Sequence, residues 1–267
     1  MNELVKLHAR PRLKSPNMIA AWPGVGNVAA IVATYLKSKL EFKELGEIEA
    51  VHFFDPIGIT VKDNIVESPQ FPQSKFYYWK SKDKEKGSDL IIFIGDAQPL
   101  AKGYELAHCV LDVAVRFGVK RVYTCAAALT HIHPTELPRV WGVVTNQAIA
   151  PELKGHGLPE RGNFQIAGLN GLLLGAAKER DIDGLCLLGE VPTYATRVPN
   201  PMAALAIIGF LTKMLNIKID TLELSQQADE TKETMKQLTA KAMSEYIDLF
   251  TEPIWEQGEE AGEDDEE

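Results

Sequence analysis

Five polar residues in this chain could do chemistry if its strands form a parallel sheet. Asp96 and Gln98 follow the apolar run "DLIIFIG", and Glu190 ends the run "GLCLLGE". Asn27 lies in a glycine-rich turn, and Arg197 follows the last predicted strand. Parallel α/β sheets bind ligands in the crevice at the carboxyl ends of their strands. There Arg197 would suit a phosphate or carboxylate, and Asp96 with Glu190 would suit acid and base catalysis. Each residue alone is more often a helix cap or a loop anchor, so this pairing depends on the fold.

The glycine-rich turn is the segment "WPGVGNVAA" at residues 22–30. It fits the G-x-G-x-x-G/A pattern between a strand and a helix, which is the context of a dinucleotide site. Two features argue against that interpretation. Pro23 removes one N–H group, and the acidic residue expected about twenty positions later falls at Glu44, before the second strand begins. We therefore predict that Gly24 and Gly26 have a structural role and permit a tight turn from strand to helix. A dinucleotide site is the less favoured alternative.

A histidine pair is the one candidate for metal binding. His131 and His133 in "LTHIHPTE" would share a face in an extended segment, and Glu136 offers a third ligand for zinc or copper. Pro134 and the short spacing favour a loop with two histidines on a polar rim. The nucleophile-elbow and phosphate-loop motifs are missing from the sequence. We predict no metal and no cofactor.

Composition indicates a globular protein with a sizeable core, because 45% of the 267 residues are hydrophobic. No apolar run reaches the roughly 18 residues of a membrane span, and the first residues lack the apolar core of a signal peptide. The three cysteines form no CxxC pair and lie in apolar runs, which favours buried, reduced thiols. We expect a cytoplasmic protein with no membrane partner.

The net charge of -9 is concentrated at the carboxyl end. Residues 256–267 hold eight of the 37 acidic residues and no basic one, so the rest of the chain, with 29 acidic and 28 basic residues, is nearly neutral. We expect no nucleic-acid partner. The interpretation we favour is a single domain over residues 1–252 and a disordered acidic tail over residues 253–267, and the alternative is an arm that docks on a basic partner.

Strand-length apolar runs alternate with segments of helical period, which predicts a three-layer α/β/α sandwich with a mostly parallel or mixed sheet. "EIEAVHFF" (47–54) is predicted as a strand, and "ITVKDNIVE" (59–67) with "KFYYWKS" (75–81) as a hairpin or meander. Asn200 followed by proline predicts a helix start. A long carboxyl-terminal helix is predicted from about Leu224 to about Phe250, with an apolar stripe of core or subunit-contact residues: Leu224, Ala228, Met235, Leu238, Ala242, Tyr246 and Leu249.

The order of these segments resembles the proteasome assembly chaperone family. That family includes the second subunit of the eukaryotic assembly-chaperone heterodimer and prokaryotic relatives of unassigned role. The resemblance spans about residues 18 to 250. It is carried by "AAWPGVGNVAA" (20–30), "IIFIGDAQP" (91–99), "FGVKRVYTCAAA" (117–128), "QIAGLNGLLLGAAKERDIDGLCLLGEVPTY" (165–194) and "PNPMAALAIIGFLTKMLNIKIDTLELSQQA" (199–228).

The resemblance implies a sandwich like that of purine nucleoside phosphorylases, assembled into homo-oligomers, with a trimer favoured. It also implies that the glycine turn shapes the rim of the sheet and is not a dinucleotide site. The chain departs from the family at its end. Archaeal relatives that engage the proteasome α-ring end in a hydrophobic residue, tyrosine and one further residue, whereas this sequence ends "GEDDEE". We therefore do not expect this chain to dock on a proteasome through its tail.

Two hypotheses from different classes follow. The first is a non-catalytic assembly or protein-binding protein whose oligomer presents the region "KDNIVESPQFPQSKFYYW" and the long helix to a protein partner. The second is a small-ligand-binding protein or enzyme that uses a phosphorylase-like crevice. That crevice would be lined by Asn27, Asp96, Gln98, Glu190 and Arg197. We favour the first hypothesis because the sequence has no strong catalytic motif.

Overall fold

The computed structural model describes residues 3–56, 58–83, 87–133, 136–158 and 163–251. The strands are β1 (Val5–Leu7), β2 (Asn17–Ala21), β3 (Lys43–Ile48), β4 (Val61–Lys62), β5 (Ile65–Val66), β6 (Ser74–Trp79), β7 (Leu90–Gly95), β8 (Val122–Thr130), β9 (Val140–Val144) and β10 (Gly184–Pro192). The helices are α1 (Val28–Lys39), α2 (Gly103–Arg116), α3 (Ala150–Gly155), α4 (Leu169–Glu179), α5 (Pro201–Leu215) and α6 (Leu222–Thr251).

Eight strands form one mixed sheet in the order β1-β3-β6-β7-β2-β8-β10-β9. The four central strands, β7, β2, β8 and β10, run parallel to one another, and the outer strands are antiparallel to their neighbours. Helices α1 and α5 cover one face, and α2 and α4 cover the other. Both predictions, a three-layer α/β/α sandwich and a mostly parallel or mixed sheet, are confirmed.

Strand β2 lies in the middle of the sheet and is apolar over most of its length. Its side chains alternate between the two faces. Ile19 and Ala21 pack towards α1 and α5, whereas Met18 and Ala20 pack towards α2 and α4. A parallel strand covered by helices on both sides needs such a continuous apolar run, because neither face meets water.

An aromatic cluster continues the core beyond the end of β2. The ring centroid of Phe93 lies 4.8 Å from those of both Trp22 and Phe76. All three side chains are fully buried on the face covered by α2 and α4. Gly95 leaves room for the indole, since a Cβ at that position would lie 2.5 Å from Cδ1 and Nε1 of Trp22. The cluster therefore fixes the direction in which the chain leaves β2.

The predicted strand over residues 47–54 is wrong. The strand is β3, which begins four residues earlier, and residues 50–52 form a short 3-10 turn. Leu45 and Ile48 are its buried side chains, and the strand pairs with both β1 and β6. After Ile48 the chain turns so that Phe53 can pack into the core. Beyond Ile48 the apolar run therefore marks a turn that leads to the buried Phe53 and not a strand.

Segment 75–81 does not pair with segment 59–67 as the sequence suggested. Strand β6 pairs with β3 and β7, and β4 pairs with β5 alone in a separate two-residue hairpin. Asp63 and Asn64 join β4 to β5, and both adopt positive φ angles, as a tight two-residue hairpin loop requires.

The long carboxyl-terminal helix is confirmed as α6, and its first half packs on α5. Leu224, Ala228 and Met235 are buried. The predicted helix start at Asn200 is also confirmed, since its side chain accepts a hydrogen bond from Ala203 N (2.9 Å). The acidic tail over residues 253–267 lies outside the described residues, and so do four side chains of the predicted stripe, those of Leu238, Ala242, Tyr246 and Leu249.

The three cysteines are buried and none is paired with another, as predicted. Desolvation raises the pKa of Cys186 to about 12 and also raises the pKa of Cys125. Both groups are therefore thiols near neutral pH, the form that reacts poorly with electrophiles. Among the described residues, no helix is long and apolar enough to cross a membrane.

The fit of Gly95 against Trp22 gives a stability prediction. Gly95→Ala forces the buried indole to shift, and we expect it to lower the free energy of unfolding by about 1–3 kcal/mol. Gly209→Ala is the matched control, because a Cβ at this exposed helix position meets nothing within 4 Å. The control should raise stability by about 0.5–1 kcal/mol. Urea unfolding at fixed protein concentration measures both values, and equal stability of the two variants would contradict this packing.

Candidate functional site

A cavity of about 310 Å³ lies at the carboxyl ends of the central strands. Its lining combines the turn after β2, the end of β8 and the segment that leads into α4. The lining residues are Gly24, Val25, Ala29, Gln98, Ala126, Ala127, Ala128, Leu129, Phe164, Gln165, Ile166, Ala167, Asn170 and Leu188. None of these side chains carries a charge. The cavity therefore favours a neutral ligand over a phosphate or a carboxylate.

The cavity exists because β2 and β8 separate. β2 pairs with β8 only as far as Ala20 and Thr124. β8 continues beside β10 to Thr130, where it faces Pro192. The chain of β2 turns away at Trp22, so a gap opens at this rim of the sheet. This gap is the crevice in which open α/β sheets place their ligands.

Asn170 closes the inner end of the gap. Its Oδ1 accepts a hydrogen bond from Trp22 N (3.2 Å), and its Nδ2 donates to Trp22 O (3.3 Å). The side-chain amide thus replaces the next peptide group of β8 as the partner of β2. Asn170 is 5% exposed and lies at the second position of α4. A buried peptide group without such a partner would be costly.

Gln98 holds the same turn from the other side. Its Nε2 donates to Pro23 O (2.6 Å), and its Oε1 accepts from Leu169 N (2.8 Å). The second bond satisfies one of the free N–H groups at the start of α4. Gln98, which follows β7, lines the cavity, and both ends of its amide are hydrogen-bonded to backbone groups.

Three backbone N–H groups of the glycine turn, which a bound pyrophosphate would need as donors, already donate to backbone carbonyls. Gly26 N donates to Thr196 O (3.0 Å), and Asn27 N donates to Gly24 O (2.9 Å). Val28 N also donates within the turn. Gly26 has a φ of 59°, and a Cβ there would lie 3.1 Å from Asn200 Cβ. These contacts support the geometric interpretation of Gly24 and Gly26 over a dinucleotide site.

Asp96 and Glu190 lie far apart. Asp96 accepts a hydrogen bond from Gln73 N (3.0 Å) before β6, and Glu190 accepts one from Arg139 N (2.9 Å) before β9. Asp96 directly follows β7, and Glu190 lies in β10. These two strands are three strand spacings apart, about 14 Å. Each carboxylate joins two neighbouring segments of chain, and neither lines the cavity. The structure does not bring them together as an acid and base pair.

The remaining predicted residues lie on the surface. Asn27 has a positive φ, is exposed and makes no cap with its side chain. Arg197 is exposed, and it has no hydrogen bond or ion pair with the described part of the chain. Neither lines the cavity. Among residues whose positions are described, no group of three histidine, cysteine or acidic side chains is arranged to hold a metal, and this holds for His131, His133 and Glu136.

Sequence reasoning missed Asn170. The residue is uncharged and sits inside "GLNGLLLG", where its side chain has no partner nearby in sequence. Its partner Trp22 lies 148 positions away. The one available signal was a polar residue within an apolar helix that follows a glycine.

We predict that Asn170→Ala lowers the free energy of unfolding by about 2–4 kcal/mol, because it leaves both the N–H and the C=O of Trp22 without a partner. Asn146→Ala is the matched control. The Asn146 side chain accepts a hydrogen bond from Ala148 N at an exposed turn, so its loss should cost about 1 kcal/mol. Chemical denaturation measures the difference, and equal losses would show that water replaces the Asn170 amide without cost.

Comparisons with known proteins agree with this geometry. PbaB of Pyrococcus furiosus, an archaeal proteasome activator, is 30% identical over 88% of this chain and 98% of its own, with a TM-score of 0.76. PbaA of the same organism, an archaeal homolog of proteasome-assembly chaperone, shares the fold at 22% identity, over 92% of this chain and 96% of its own, with a TM-score of 0.68. The uncharacterized protein MJ1210 of Methanocaldococcus jannaschii is 28% identical over 81% of this chain and 80% of its own.

The sequence profile of the PAC2 family matches residues 18–239, which include the parallel core except for the first residue of β2, the glycine turn and Asn170. This span also agrees with the segments that first indicated the resemblance. The chain belongs to the PAC2 family.

Proposed function

We propose that this protein is a non-catalytic protein-binding protein of the assembly-chaperone type, which acts on proteasome subunits as a homo-oligomer, with a trimer favoured. The observation that carries the proposal is the 30% identity to PbaB, a proteasome activator, across nearly the whole of both chains. This similarity extends over 88% of this chain and 98% of PbaB, and it is the ground on which we assign the same kind of partner. The cytoplasm is the compartment in which such a protein would meet that partner.

The chemistry of the crevice supports the same proposal. The carboxylates that could act as acid and base hold backbone segments three strands apart. The two amides that reach the cavity are engaged with the turn after β2 and the start of α4. A binding role needs only shape and unpaired polar groups, whereas catalysis needs reactive groups that meet at one point.

The hairpin formed by β4 and β5 is the best candidate for the partner surface. Four aliphatic side chains of this hairpin and its entry, Ile59, Val61, Ile65 and Val66, are 55–70% exposed. Val61 and Val66 are cross-strand partners and share one face, whereas Ile65 pairs with Lys62 on the other face. Neighbouring exposed aliphatic residues are typical of surfaces that bind another protein. The hairpin lies within the region "KDNIVESPQFPQSKFYYW" and its flank, which the sequence had suggested for this role.

A small-ligand-binding function is the second candidate, and the cavity of about 310 Å³ supports it, since small-molecule sites begin at roughly this size. Its ligand would be neutral, because Arg197 does not line the cavity. Native mass spectrometry of the protein purified from its own cells tests both candidates. A homo-oligomer that carries proteasome subunits supports the first, and a stoichiometric small molecule without a protein partner supports the second.

We predict that Val61→Ser with Val66→Ser weakens the complex with proteasome subunits at least about tenfold, because the change removes the two exposed apolar side chains that share one face of the hairpin. The melting temperature should stay unchanged, since both side chains are already exposed. Val115→Ser is the matched control, because Val115 is 63% exposed on α2, outside the hairpin. Binding that is equal in all three proteins would place the partner surface elsewhere.

The acidic tail is not the docking element in our proposal. Deletion of residues 253–267 should leave both the complex with proteasome subunits and the subunit number unchanged. Native mass spectrometry with full-length protein as the control measures both. Loss of the complex on deletion would show that docking depends on the tail despite its sequence.

A further inference from the structure

The peptide groups of β8 alternate in direction along the strand. Met18 N donates to Arg121 O (3.0 Å) on one side, and Val122 N donates to Asp183 O (2.9 Å) on the other. Odd-numbered residues of β8 therefore face β2, and even-numbered residues face β10. Because β2 pairs with β8 only up to Thr124, the odd-numbered peptide groups beyond that point face the cavity.

These groups form what we call the open edge of β8: the C=O of Cys125, both groups of Ala127 and the N–H of Leu129. Within the described part of the chain, the open edge makes no hydrogen bond. Residues 126–129 line the cavity, so water or a ligand can reach the edge. An edge of this kind inside a sheet is a template for another strand.

The pattern of groups selects the kind of ligand. Acceptor, donor, acceptor and donor follow one another along the strand, and an extended peptide presents the complementary series at the same spacing. Asn170 already satisfies Trp22 in this way with a single amide. The described residues of the side walls are uncharged, and Val25 and Leu129 expose apolar surface at the mouth. A small ligand with one amide would pair only part of the edge.

We infer that the open edge of β8 binds an extended, uncharged segment of a partner protein, about three to four residues long, by addition of a strand between β8 and the turn after β2. The length follows from the distance between Cys125 and Leu129 at about 3.3 Å per residue. This inference rests on the proposed protein-binding function and names the element of the partner that is recognised.

The test uses the full-length protein and acetyl-Ala-Gly-Ala-Gly amide as the probe. At millimolar probe, amide hydrogen exchange at Ala127 and Leu129 should slow by about tenfold or more, because both N–H groups become donors to the probe. Two control peptides carry N-methyl groups on alternate residues, in the two possible arrangements. Only the one whose methyl groups replace the N–H groups that face the open edge should lose this protection. Exchange rates that do not change with the probe would overturn the inference.

Leu129→Pro supplies the matched variant. It removes an N–H that faces the gap and leaves the pairing of β8 with β10 intact, a position at which proline is tolerated in a strand. It should keep the melting temperature and abolish protection at Ala127. Ala128→Pro removes an N–H that faces β10 and should lower the melting temperature instead. If Leu129→Pro fails to fold, Leu129→Lys blocks the apolar mouth at an exposed position and should weaken the probe in the same way.

The two proposals can fail separately. If Leu129→Pro loses the probe but keeps the complex with proteasome subunits, the recognised segment lies elsewhere and the proposed function stands. If the wild-type protein binds the probe but no proteasome subunit, the open edge stands as a peptide site and the proposed function fails. A small molecule that copurifies and protects the same amides would overturn the peptide assignment.

Discussion

The constraint on which this structure depends is that the backbone N–H and C=O of Trp22 need hydrogen-bond partners where β2 leaves the sheet. Strand β2 occupies the centre of the sheet, and its chain must leave the sheet there without stranding buried polar groups. The indole packs on Phe93 in the core, and the Asn170 amide takes the hydrogen bonds that β8 would have made. Gln98 then fixes the next carbonyl. The crevice is the space left by this arrangement, so its shape and its neutrality follow from how one strand ends.

Much of the fold was predictable because its signals are local. Continuous apolar runs marked β2, β7, β8 and β10, and helical periods with caps such as Asn200 marked the helices. Residues 47–54 were misassigned because an apolar run also fits a turn that buries Phe53. The site was less predictable. Gln98 follows a strand end, which is a local signal, whereas Asn170 bonds a residue 148 positions away and has no such signal in the sequence.

The positions of the charged residues at the rim explain why the sequence suggests a catalytic crevice and the structure does not form one. Asp96 and Glu190 do occur at strand ends, as a ligand-binding sheet requires, but each accepts a backbone N–H from a neighbouring segment. They stabilise the approach to the antiparallel outer strands. Polar residues at the ends of parallel strands can therefore serve the architecture of a sheet and not a reaction. In this member of the PAC2 family, the described lining of the cavity is uncharged, and the β4–β5 hairpin exposes aliphatic side chains next to Lys62 and Asp63.

The bond between Asn170 and Trp22 also sets an order of events during synthesis. The strands from β1 to β8 lie within the first 130 residues, but the partner of the Trp22 peptide arrives only with residue 170. Until α4 emerges from the ribosome and docks, the central strand has one edge incomplete and the aromatic cluster lacks part of its cover. Long-range closure of this kind is slow and exposes apolar surface. The crevice is therefore incomplete until the chain has been synthesised at least as far as Leu188, the last of its described lining residues.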